Sequence, residues 1–171
     1  MSLQRFLLLL YIAICFSANA NPAPLGFELN RSTMSDIEKQ YNVTIKEENY
    51  WEGNNYHLDI RNAKLDGLTG LLVICDKSDI IQSVILTVDK DKFTEFYNLL
   101  SEKYILVEKE LPTLGHRRAK FTDDQSIIII EAPCFRFDMS IVYVTKDFYT
   151  KFQDKKRQEE TEKKVKYKAI L

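Results

Sequence analysis

Glycine and proline are scarce. The 171 residues include 5 Gly and 4 Pro, too few for a collagen-like repeat or a Pro-rich linker. An excess of one charge is also missing. Lys and Arg number 24 against 25 Asp and Glu, a formal net charge of −1. Nucleic-acid binders usually carry a clear basic excess, so that partner class is set aside. Histidine is limited to His57 and His116. With no His-x-x-x-His or His-Glu-x-x-His, and only distant cysteines, no zinc spacing exists; no metal and no cofactor is expected. Gly-x-Ser-x-Gly, Gly-x-Gly-x-x-Gly and a phosphate-cradling Gly loop are also lacking. No catalytic set is assigned. What is present is an ordinary globular mixture, 45% hydrophobic and 29% charged, of a length that fits one domain.

The first twenty residues read as an address. Arg5 precedes an apolar run from Phe6 to Phe16, 11 residues long. A membrane span needs about 20, whereas a signal h-region needs fewer. Ala18-Asn19-Ala20 then supplies an Ala-x-Ala site. Cleavage after Ala20 is expected, giving a periplasmic or secreted protein with no membrane span. Cys15 would leave with the leader, and Cys75 and Cys134 would remain. An oxidising compartment makes them a candidate disulfide; two buried thiols are the alternative. No Cys-x-x-Cys occurs, which argues against a redox enzyme.

The remainder reads as duplicated. Ala63-Lys64-Leu65 recurs as Ala119-Lys120-Phe121, and Lys90-Asp91 as Lys146-Asp147, both 56 positions later. Gln82 to Val88 resembles Met139 to Thr145 at offset 57, and Gln40-Tyr41 resembles Lys103-Tyr104 at offset 63. Their collinear order predicts two pseudo-repeats, about 33–97 and 98–152, within one domain spanning 21–152.

Within each repeat the elements are legible. Thr33 and Asp36 form a capping-box pattern before a short helix carrying Met34, Ile37 and Tyr41. Alternation predicts strands over 43–47 and 56–61, and apolar runs predict strands over 71–75 and 80–88. Asp89 or Asp91 is a candidate cap for a helix whose stripe is Phe93, Phe96, Tyr97, Leu100 and Tyr104. Strands follow over 105–109, 117–121, 126–131 and 136–144. The second of the two isoleucine-rich segments, Ile127 to Ile130, suits a strand covered on both faces. Asp147 is expected to cap a last helix bearing Phe148, Tyr149 and Phe152. From Gln153 to Lys164 no apolar side chain occurs, so 153–171 reads as a polar, charged tail, either a solvated helix end or a frayed terminus. The fold class is α+β: tandem units of antiparallel strands with helices packed on the sheet.

Two clusters are candidates for binding. Tyr50, Trp51 and Tyr56 crowd aromatic side chains into an Asn-rich loop, a composition that recognition loops use; Trp51 folded back as a core plug is the other reading. His116, Arg117 and Arg118 make a basic spot that suits an acidic group on a partner, or a solvated hairpin end.

The segment Pro24-Leu25-Gly26-Phe27-Glu28-Leu29-Asn30-Arg31-Ser32-Thr33 resembles the opening of many small exported bacterial proteins. With the "Val-Asp-Lys-Asp-Lys-Phe" and "Glu-Lys-Tyr" segments flanking the central helix, the chain resembles an uncharacterised Gram-negative periplasmic family. The duplicated layout is similar to the β-lactamase-inhibitor-protein and outer-membrane-assembly lipoprotein folds. Leu25 and Asn30 stand where that opening has Phe and Gly. The resemblance implies a non-catalytic binding fold and transfers no functional residue. An exported module binding a protein or envelope component is thus expected, with a small cell-envelope hydrolase or hydrolase inhibitor, or a structural envelope protein, as alternatives.

Overall fold

Alternating and β-branched segments need partners for their backbone groups, and here all eight find them in one sheet. The computed structural model describes residues 21–170; the leader expected over 1–20 lies outside them. Helix α1 (Met34–Glu38) leads into β1 (Val43–Glu48), β2 (Asn54–Leu58), β3 (Leu68–Cys75) and β4 (Ile81–Asp89). Helix α2 (Phe93–Lys103) leads into β5 (Ile105–Glu110), β6 (Arg117–Thr122), β7 (Ser126–Ala132) and β8 (Asp138–Thr145), and α3 (Lys146–Ile170) follows. The strand order is β1-β2-β3-β4-β8-β7-β6-β5 and every pairing is antiparallel. Two four-strand meanders therefore meet at β4 and β8, where Leu86 pairs with Ile141. The protein is α+β.

The sheet has two unequal faces. The period of two in each strand sends Val84, Leu86, Ile128, Ile130, Met139 and Ile141 to one face, where they are buried with Phe27, Leu29, Ile37 and Phe93. The N-terminal segment, α1 and α2 cover that face. The opposite face carries a smaller cluster: Ile127, Ile129, Val144 and Phe148, with Trp51, Ile74, Val142 and Tyr149 packed beside them. The run Ile127 to Ile130 thus serves both layers, as its β-branched composition predicted.

The structure corrects several local expectations. Cys75 and Cys134 are free thiols, Cys75 buried and Cys134 exposed. Cys75 sits beside Ile81 at the start of β4. Cys134 sits in the β7–β8 turn, where the Lys90 ammonium just past the end of β4 binds its carbonyl. The length of β4, roughly 26 Å, separates them, whereas a disulfide needs Cα atoms about 6 Å apart. Asp147 does not cap α3. The Thr145 hydroxyl does, accepting the Phe148 amide at 3.3 Å. No side chain caps α2 either, because a 3-10 turn over Lys90–Lys92 runs straight into it. Strand β8 begins at Asp138, so Arg136 and Phe137 belong to the turn. Ala63-Lys64-Leu65 lies between β2 and β3, whereas Ala119-Lys120-Phe121 lies within β6. Helix α3 continues unbroken through the polar run to Ile170, which gives those charges a solvated helical surface. Among the described residues, no helix is long and apolar enough to cross a membrane.

Candidate functional site

Alternation places Ile74, Ser83, Ile85, Ile129, Val142 and Val144 on the less covered face, because their partners in adjacent strands are one another. Ile85 pairs with Val142 and Val142 with Ile129. Helix α3 then folds back over part of this face. Its start is fixed by a buried polar relay. The Gln82 amide donates to Asp76 at 3.0 Å and accepts the Thr145 hydroxyl at 3.0 Å. Three aromatics hold the first turns down: the Trp51 ring lies 4.7 Å from Phe148 and 6.2 Å from Phe152. The Lys120 ammonium lies 4.8 Å over the Tyr149 ring, an attraction between the cation and the electron-rich face.

Between helix and sheet runs a groove of ≈ 580 Å³. Ile74, Ile85, Ile129, Val142 and Val144 form its floor, Phe148, Tyr149 and Phe152 its wall, and Arg118, Glu131, Gln153 and Lys156 its polar rim. An apolar floor with a few polar groups at the margin is the usual make-up of a ligand site. A second hollow of ≈ 610 Å³ lies on the far side of Phe148, lined by Tyr50, Trp51, Glu52, Asp76 and Lys77 among others. Its lining is more charged, with Asp147 and Lys151 beside Glu52, Asp76 and Lys77, which makes it the weaker candidate.

The candidates expected from sequence are distributed across these features. Tyr50 is 68% exposed, with the Lys155 ammonium over its ring. Trp51 is half-buried and ties the β1–β2 loop to α3. Tyr56 parts from them onto the covered face, 3% exposed, its hydroxyl donating to Asp79 at 2.9 Å. Burial first, then the Asp79 carboxylate, pushes its pKa well above the usual tyrosine value. The basic cluster is split by strand alternation. The Arg117 guanidinium stacks on Phe93 at 4.2 Å. Arg118 reaches the groove, between Glu108 at 3.8 Å and Glu131 at 3.9 Å. His116 Nε2 lies 3.2 Å from Glu131. The remaining groove residues escaped the sequence reading. Their signal was the opposite-face alternation in β4, β7 and β8, together with three aromatics in α3 followed by none up to Lys164.

The groups with perturbed acidity have local causes elsewhere. The Thr33 amide, Lys39 and the Thr33 hydroxyl hold Asp36 down at about 2. Arg61, Lys92 and Arg136 lower Asp59, Asp66 and Asp138 respectively. Burial raises Cys75 and Tyr143. None of these lines the groove. Among the described residues no three His, Cys, Asp or Glu side chains gather as a metal site. No family profile, curated protein or solved structure matches the chain.

Proposed function

We propose that the chain is an exported, non-catalytic binding module whose ligand seats in the groove between α3 and the sheet. The carrying observation is the groove itself: an apolar floor, an aromatic wall, and a polar rim of Arg118, Glu131, Gln153 and Lys156, of which Lys156 is the cation left to meet an acidic group. That chemistry suits an apolar segment, acyl or side-chain, ending in an acidic group. Export rests on the Ala18-Asn19-Ala20 motif. Pro22, Pro24, Phe27 and Leu29 are buried, so a cut after Ala20 keeps these packing residues on the mature chain. We also read the two meanders as copies of one unit. The segments related at offset 57 fall on β4 and β8 at the middle of the sheet, which supports this; the Ala63 and Ala119 segments do not occupy equivalent elements.

Dansyl-labelled undecanoic acid tests the groove. Its fluorescence rises on saturable binding to the protein, and Val142→Trp, which fills the floor, abolishes the rise while leaving the unfolding midpoint near that of the parent. Equal binding to both proteins would contradict the proposal.

A further inference from the structure

The hollow on the far side of Phe148 gathers charges of both signs that do not neutralise one another. It measures ≈ 610 Å³ and is lined by Glu52 from the β1–β2 loop, Lys77 from the β3–β4 turn, and Asp147 and Lys151 from α3. All four side chains are exposed, and among the described residues none has an ion-pair or hydrogen-bond partner. Asp147 and Lys151 stand four positions apart on α3, the spacing at which helical ion pairs form, and still remain separate. Asp76, the fifth charged residue of the lining, is fully engaged. Its carboxylate accepts the Ser78 and Ile80 amides at 2.8 and 3.2 Å and the Gln82 amide at 3.0 Å. The backbone that carries Glu52 is fixed by Asn49. Its oxygen accepts the Trp51 and Gly53 amides at 2.9 and 3.1 Å, and its nitrogen donates to the Cys75 carbonyl at 2.9 Å. Within that loop Glu52 sits at φ 61°, a left-handed conformation that a residue with a Cβ rarely adopts. Strain enforced in this way is a pointer to function.

We infer that this hollow binds a short zwitterionic peptide, its ammonium answered by Glu52 and Asp147 and its carboxylate by Lys77 and Lys151. A ligand of one sign would satisfy one pair and meet like charge in the other. A neutral ligand would displace water from all four and return no charge-assisted hydrogen bond. Only an occupant carrying both charges satisfies the whole rim. Tyr50, Trp51 and Phe148 supply the apolar part of the lining, which calls for an apolar side chain on the ligand. The volume lies in the range of small-molecule sites and has room for two residues. The groove lies on the other side of Phe148 and shares no charged residue with this hollow, so the two readings stand or fall separately.

Trp51 is the only tryptophan and lines the hollow, so its emission reports the occupant. Leucyl-leucine changes that emission saturably. N-acetyl-leucyl-leucine amide keeps both side chains, lacks both charges, and binds more weakly by roughly tenfold or more. Glu52→Gln/Asp147→Asn weakens leucyl-leucine by roughly tenfold and tightens N-acetyl-leucyl-leucine, whose carboxylate no longer meets acids. Lys77→Met/Lys151→Met weakens the dipeptide likewise and tightens leucyl-leucine amide, whose ammonium no longer meets bases. Both variants keep the parent's unfolding midpoint to within a few degrees, because the four side chains are exposed and unpaired. Any of three results overturns the inference: no saturable change with leucyl-leucine, the doubly blocked peptide binding as well as the charged one, or both charge variants binding leucyl-leucine as the parent does.

Discussion

Gly53 has the least room of the five glycines. A Cβ there would stand 2.1 Å from the Cys75 carbonyl oxygen and 2.7 Å from the Asp76 carbonyl carbon. Both are backbone atoms, so the strand ends must shift to accept it. Gly53→Ala should cost about 3 kcal/mol or more in urea unfolding; a loss below about 0.5 kcal/mol would mean the loop yields freely. Cys75 and Cys134 differ as sharply. Burial, then Asp79 and Asp76, pushes the Cys75 thiol up to about 12, and thiolate is the reactive form. Iodoacetamide should therefore add one label to the native protein prepared from Asn21 onward, at Cys134, and a second only after denaturation. Asp36 supplies a pH signature. Its carboxyl falls from 3.8 to about 2 in the folded chain, so its stabilising effect is complete above its unfolded value and is lost as pH falls toward 2. Unfolding midpoints of the parent and Asp36→Asn should differ above pH 5 and converge near pH 2. The Thr33–Asp36 pair was visible in sequence because a cap is set by neighbours. The thiol pairing was not, because the length of a strand lies between the two sites.

At the scale of elements, local periodicity predicts what burial enforces. Helix α2 and the strand through Ile127 to Ile130 were legible because their patterns carry the period of the surface they cover. The β7–β8 turn was not. Arg136-Phe137-Asp138-Met139 alternates like a strand, but the turn is fixed by Lys90, more than 40 residues away in sequence. Helix α3 shows the same limit. Its composition reports a solvated surface after Phe152, whereas the docking of its start depends on Trp51 from another loop. That dependence is testable. Trp51→Ala removes the rings that pack tilted against Phe148 and Phe152, and because Trp51 is half-buried it should cost about 2 kcal/mol, below the range for a fully buried aromatic. Amide exchange should accelerate from Phe148 to Phe152 while that of β7 stays slow. Unchanged exchange in α3 would show that the Thr145 cap alone holds the helix.

At the scale of the molecule, one sheet carries a thick core on one face and a thin one on the other. The α+β class and all eight strands were readable from the sequence, since each strand declares itself locally. The groove was not, because it exists only where the second faces of β3, β4, β7 and β8 align beneath α3. Grouping Tyr56 with Tyr50 and Trp51 failed for the same reason: nearness in sequence does not fix the face. The groove between α3 and the sheet is the proposed seat of the ligand. Photo-crosslinking in the producing cell tests it most directly, with p-benzoylphenylalanine at Lys156 on the groove rim or at Lys163 further along α3. A ligand seated in the groove gives a discrete adduct from position 156 that Val142→Trp eliminates, and none from 163. The same adduct from both positions, or one from 156 that persists when the floor is filled, would contradict it.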